Sequence, residues 1–410
     1  MTDNKTGRLF YGYVIVSVAF LIMVTTWGTL YSFGVFFKPV LTEFGWTRAA
    51  TSGAYSLCML LLGFSAIFAG RLNDRFGPRL VSTVCGLFLG SGYLLMSQIG
   101  AIWQLYLFYG VVLAIGAGGS YTPLASTISR WFVKRRGWMV GIAVSGIGFG
   151  TLIMSPIANW LISSYGWRNS YVIIGIVALM LIILPAQFLR RDPARMGMQP
   201  YGGDVTDQRG LNLDAGGFSL RRATGTRQFW MMATMFLFIG ISIQVILVHI
   251  VPHATDLAVS AASAANVLAV IGGAGVVGRI VMGGIADRIG SRLALITSFV
   301  IMLASLVWLL FTEELWAFYL FAAVFGIAYG SFSTLIALTA AELFGLSSLG
   351  VITGALIFST GTGEAIGPAL AGGIFDGTGS YQLAFLICVI LCVIAIVISL
   401  FLRPAPSVRR

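Results

Sequence analysis

The stretch GRLNDRFGPRL (residues 70–80) returns as GGIADRIGSRL (residues 283–293), and that pairing decides how the whole chain is read. Each copy closes a long apolar run with an acid and an arginine, then a glycine: Asp74, Arg75 and Gly77 in the first, Asp287, Arg288 and Gly290 in the second. The same offset in numbering, from 70 to 283, also relates FKPVLTEFG (37–45) to IVPHATDLA (250–258), setting Pro39, Thr42 and Glu43 against Pro252, Thr255 and Asp256. Further on, SP at 155–156 meets GP at 367–368 and SY at 170–171 meets SY at 380–381, at nearly the same offset. A steady offset across most of half a chain marks an internal repeat. One difference stands out: Ala66 of the first copy lies opposite Arg279 of the second, in VVGRIVMGG, so only one copy carries a charge inside its apolar run.

The 410 residues are 58% hydrophobic and 10% charged, with a mean hydropathy of +0.93. Soluble domains carry about a quarter charged residues. Apolar runs long enough to span a bilayer as a helix recur throughout, and only a helix lets each segment satisfy its own backbone in lipid. A barrel would show short alternating strands instead. The expected fold is an all-α membrane protein with twelve transmembrane helices, roughly 11–37, 47–70, 78–99, 103–131, 137–163, 167–189, 228–252, 257–285, 291–311, 315–343, 347–374 and 380–402. They form two pseudo-symmetric six-helix halves, 1–189 and 228–402, joined by a polar linker at 190–227 and followed by a tail at 403–410. Repeated halves with a site between them at the membrane midplane are a transporter architecture.

The net charge of +11 does not point to nucleic acid, because the cations sit in short loops at alternate ends of the spans. Of 25 Lys and Arg, only Lys38, Arg48 and Arg168 fall on one side; setting Arg279 apart leaves 21 on the other. That asymmetry predicts both termini in the cytoplasm, in a multi-pass protein of the cell (plasma or inner) membrane. No cleavable signal is expected. Cys58, Cys85, Cys388 and Cys392 all lie in apolar segments and read as small packing residues. No metal-ligand pair or nucleophile–base constellation lies in the spans, so neither metal, cofactor nor enzymatic activity is expected.

Here a family comes into view. The loop GRLNDRFGPR resembles the loop motif of the major facilitator superfamily, and YSFGVFFKPVLTEFGWTRAATS (31–52), RWFVKRRGWMVGIAVSGIGFG (130–150) and YGWRNSYVIIG (165–175) resemble the monocarboxylate transporter family and its prokaryotic relatives. The resemblance implies the major facilitator fold, a carboxylate-binding role for Arg279, and a cytoplasmic gate in which the loop motif stabilises the outward-open state. It also has gaps. Animal members place a lysine on the first helix and an aspartate one turn before the arginine, where this chain has Tyr31 and Gly275.

Arg279 leads the candidates on physical grounds too. It lies eight residues before Asp287, about 12 Å along a helix, too deep to snorkel easily to water. An arginine there costs at least about 2.5 kcal/mol and keeps its proton. Its planar guanidinium suits two-point contact with a carboxylate, although a structural ion pair is the plainer alternative. Tyr121, Tyr329 and His249 are candidates to line the same site, with Tyr31, Gln244 and Asn266 weaker ones; ordinary packing, or a histidine bonded to a carbonyl freed by Pro252, would explain them as well. Glu364 and His249 are the candidates for carrying a coupled proton, and Glu364 is equally readable as a structural partner of Arg279 or as a residue facing the outer vestibule. His253 is expected at the surface. Gly70, Arg71, Asp74, Arg75, Gly77 and Arg79, echoed by Asp287, Arg288 and Arg292, form the candidate gate, the charges latching across the halves and Gly77 allowing the turn.

The expected function is secondary transport of a small monocarboxylate such as lactate or pyruvate, with a proton, by alternating access. One buried cation neutralises one carboxylate, whereas an oxalate–formate type exchanger would want two, and the chain has no Lys or Arg from 293 to 402. A proton-coupled drug exporter or a non-transporting sensor fits less well. The expected partners are the carboxylate, the proton and the lipid bilayer, with no nucleic acid, and the expected assembly is a monomer.

Overall fold

In a computed structural model the described residues are 10–133, 135–202, 218–345 and 349–402, and they are almost wholly helical. The membrane helices are α1 (Tyr11–Phe44), α2 (Arg48–Phe76), α3 (Pro78–Met96), α4 (Ile102–Trp131), α5 (136–165), α6 (167–186), α7 (Arg227–Asp256), α8 (Ala261–Ile289), α9 (Ser291–Leu309), α10 (Leu315–Phe344), α11 (Leu349–Thr378) and α12 (Gln382–Leu400). Ten helical stretches among the described residues are long and apolar enough to cross a membrane. Among the described residues, two more crossings come from α11 and from the break at Gly166 that divides Arg136–Ala186 into α5 and α6.

The repeat is written into the backbone. Gly77 and its repeat counterpart Gly290 both take positive φ (86° and 87°) and end α2 and α8 on the tight turn that starts the next helix. Gly166 (75°) and Gly379 (72°) do the same between α5 and α6 and between α11 and α12, at the same offset. Gly45 (65°) has its counterpart, again at that offset, in Ala258 (62°), which holds a left-handed conformation despite its Cβ. Threonine and serine cap the starts: Thr47, Thr226 and Ser260 each accept from the amide three residues on.

Two corrections concern the chain path. The first helix reaches Phe44, beyond the expected end at 37, with a local break at Ser32. His253 is buried against Phe318, Tyr381 and Phe385, not at the surface. The side chain of Asp287, like Lys134 and the tail 403–410, lies outside the described residues.

Helices α1–α6 meet α7–α12 mainly along α2–α11 and α5–α8. The second seam is glycine-lined: a Cβ on Gly148 of α5 would lie 2.6 Å from the Gly272 carbonyl of α8. Within the second set, α8 and α10 are closer still, since a Cβ on Gly330 would fall 1.9 Å from the Gly275 carbonyl and one on Gly278 would fall 2.1 Å from that of Ile327. Small residues let backbones approach this closely, which is how helices associate in lipid.

Candidate functional site

The α5–α8 seam sets the depth and direction of Arg279. A Cβ on Gly148 would stand 3.2 Å from Arg279 Nη1, so the guanidinium sits against the bare backbone of the opposite helix set. Its carbon is 5.9 Å from the centre of the Tyr329 ring, within cation–π range, and the Tyr329 hydroxyl is within hydrogen-bonding reach of the same guanidinium. Tyr121 lies near enough to interact with the Arg279 charge. It stands where α4 is interrupted: helix ends at Gly118 and resumes at Thr122, after a π-helical stretch over Tyr106–Val112. Such breaks are tolerated in a membrane where they line a cavity. Tyr121 is accordingly 36% exposed inside a chain whose other candidate tyrosines are buried.

Tyr329 also reaches Tyr31 of α1, and Tyr31 in turn lies near Glu364 of α11. Glu364, half-buried, is within hydrogen-bonding reach of the wholly buried Gln244 of α7, whose Oε1 accepts from the Tyr55 hydroxyl of α2 at 3.4 Å. The structure thus brings together Arg279, Tyr329, Tyr31, Tyr121 and Glu364. It adds Tyr55 and Gly148, which no local pattern singled out, and gives Gln244 a central place. Asn266 is exposed and takes no part in this row. A Cβ on Gly275 would stand 3.3 Å from the Tyr329 ring, a tight but not closed contact. No group of His, Cys, Asp and Glu fit to hold a metal occurs among the described residues. A groove of about 470 Å³ along Phe68, Phe76, Leu80 and Phe88 opens on the apolar outer surface and includes none of the candidates.

The sequence profile described as Major Facilitator Superfamily matches residues 16–292 and 230–410. The chain belongs to the major facilitator superfamily. This facilitator is similar to the uncharacterized MFS-type transporter YhjX of Escherichia coli (27% identical, 82% of each chain covered) and to monocarboxylate transporter 11 of Mus musculus (28% identical, 92% of this chain and 84% of that one). It is likewise similar to monocarboxylate transporter 12 of Rattus norvegicus (27% identical, 92% of this chain and 82% of that one). In fold it matches a crystal structure of a bacterial homologue of the human lysosomal transporter Spinster, inward-facing and occupied, with a TM-score of 0.76 at 16% identity over 96% of this chain and 97% of that one.

The facilitator's two ends differ. At the end away from the basic loops (the far end) Arg48 of α2 bonds Asp256 of α7 at 2.7 Å and the Tyr381 hydroxyl at 2.7 Å, and lies 3.6 Å over the Phe375 ring. The backbone amides of Arg48 and Ala49 donate to Asp376 of α11 at 2.8 and 2.7 Å, so one helix set caps a helix start of the other. Lys38 adds a second contact to Asp256 at 3.2 Å. His249 belongs to this assembly. Its Nε2 lies 2.9 Å from the Pro368 carbonyl, which can only accept, so Nε2 carries the hydrogen and Nδ1 accepts from Tyr381 at 3.0 Å. The acceptor is the Pro368 carbonyl, which also accepts from Ser52 of α2 at 2.9 Å, rather than a carbonyl near Pro252. Both ring nitrogens of His249 are engaged, five residues beyond Gln244 on α7.

At the basic end, Asp74 pairs with Arg130 at 2.9 Å, Arg130 with Asp192 at 3.2 Å, and Arg79 donates to Gln187 at 2.8 Å. Arg71, Arg75 and Arg288 are exposed, with Gly70 beside Thr122. In the second copy Arg292 donates to the Ser399 carbonyl at 3.3 Å, and the Ser291 amide to Glu342 at 3.2 Å. Every ion pair described at this end joins groups of the first helix set and the start of the linker; the latching across halves expected from sequence is not seen among the described residues.

Proposed function

We propose that this facilitator moves a small monocarboxylate of the lactate or pyruvate kind across the cell membrane together with a proton, by alternating access, with Arg279 holding the carboxylate. The reading also places the basic end, and with it both termini, in the cytoplasm, following the loop charges. The observation that carries it is the place of Arg279: mid-depth, against α5 of the opposite helix set, and flanked by Tyr329 and Tyr121. A guanidinium there can grip a carboxylate at two points, and the tyrosine hydroxyls offer donors to its remaining oxygens. The resemblance to proteins named monocarboxylate transporters agrees with a carboxylate as cargo. The exchanger reading would need a second cation in the cavity, where the described residues supply Glu364 instead.

Radiolabelled lactate uptake into proteoliposomes, with and without an inward proton gradient, tests the proposal. Uptake is expected to rise with the gradient. Arg279→Ala is expected to lower it on the order of 100-fold, the loss of a charge-assisted pair, in protein that still reconstitutes. Uptake indifferent to the gradient removes the symport, and normal uptake by the variant removes the site.

A further inference from the structure

One basic and one acidic side chain lie at mid-depth among the described spans, Arg279 and Glu364, while the other Lys, Arg, Asp and Glu residues of the described helices sit towards their ends. They are joined by a polar row, Arg279–Tyr329–Tyr31–Glu364–Gln244–Tyr55, that crosses between the helix sets three times, at Tyr329–Tyr31, Tyr31–Glu364 and Gln244–Tyr55. The groups facing Glu364 are thus Gln244 from α7, Tyr31 from α1, Tyr55 from α2 and Tyr329 from α10, with Arg279 of α8 beyond. Helix α12 brings Cys388 and Cys392, which turn to Ser242 of α7 and Phe299 of α9. His249, the other proton candidate, is held at both ring nitrogens by the far-end assembly.

Resting on the reading of Arg279 as the carboxylate hook, we propose that Glu364 carries the coupled proton and that the Arg279–Glu364 pair lets only two states of the carrier cross: empty with Glu364 ionised, and loaded with Glu364 protonated and one carboxylate on Arg279. The argument is a count of charge. In the first state the guanidinium balances the Glu364 carboxylate; in the second it balances the substrate. Either partner arriving alone leaves one unbalanced charge in the low-dielectric cavity when both mouths are shut, which disfavours the shut intermediate. The same count defines the cargo: a monoanion completes the neutral loaded state, whereas a dianion of the oxalate kind leaves an excess negative charge beside Glu364. Net movement is one proton with one monoanion, without net charge.

The full chain in proteoliposomes distinguishes the parts. Wild type is expected both to accumulate lactate under an inward proton gradient and to exchange internal for external lactate without one. A potential of either sign imposed with valinomycin and potassium is expected to change wild-type accumulation less than about twofold, since the loaded and empty states are both neutral. Glu364→Gln is fixed in the neutral form, so its loaded state still crosses and its empty state does not. Exchange is expected within about threefold of wild type, and accumulation is expected to fall roughly 70-fold, the factor set by the lower bound for an unbalanced intramembrane charge. Glu364→Asp, which keeps an acid, is expected to restore gradient-driven accumulation. Continued accumulation by E364Q, loss of exchange in monodisperse E364Q, or a strong voltage effect on wild type overturns the charge rule while leaving Arg279 as hook. Absence of both modes in wild type for lactate and a panel of monocarboxylates overturns the underlying reading, and the charge rule with it.

Discussion

At the far end an acid of one helix set answers a base of the other; at the basic end the described charges are satisfied within their own set. Asp256 and Asp376 reach across to Arg48 and its backbone, while Asp74 turns to Arg130, its near neighbour at the foot of α4. The two members of the repeat pair Glu43 and Asp256 make the same contrast. Glu43 stays at home, accepting from Trp167 at 2.6 Å and Arg168 at 2.7 Å, and Asp256 takes Arg48 and Lys38 from the other set. Equivalent acids do different work because the second set has no cation at the position of Arg168. Paired charge thus ties the two helix sets together at the far end and, among the described residues, does not do so at the basic end.

The contrast breaks most readily at Arg48. Arg48→Ala removes a mostly buried cation from Asp256 and Tyr381, a loss of about 2–4 kcal/mol from the shut far mouth. Label pairs at Thr42 and Ala261, both exposed near that mouth, are expected to show a new long-distance population in a spectroscopic distance measurement. An unchanged distribution means the mouth is held by something else. Asp256→Asn is expected to act in the same direction by about 1–2 kcal/mol, since Arg48 keeps Tyr381 and its place over Phe375. Asp74→Asn is the counter-test. Its bridge is solvent-exposed and within one set, so the far-end distances are expected to shift by less than about 1 kcal/mol in population terms. If it moves them as far as the Arg48 variant does, the two ends are not independent in the way described.

Much of the fold was legible because the membrane leaves few choices: long apolar runs must be helices, and the repeat sets their partners. The glycine turns at 77 and 290 follow directly from the quoted loops. Arg279 was legible for the same reason, as a charge with no solvent to meet. What stayed hidden depends on which helix stands opposite. Gly148 looks like any other glycine of α5 until Arg279 is placed against it, and Tyr55 gains meaning only from Gln244, far along the chain on α7. His249 sits near Pro252 in sequence, yet its carbonyl partner is Pro368 of α11.

The bare contact of α8 with α10 has a bearing on how such a carrier can change its diet. Because Gly278 and Gly330 leave no space for even a methyl group, Arg279 and Tyr329 ride on one closely joined pair of rods, and that seam offers mutation little to vary. New tastes must be acquired from the facing wall, through residues such as Tyr31 and Tyr121, and directed evolution of this protein would do well to start there.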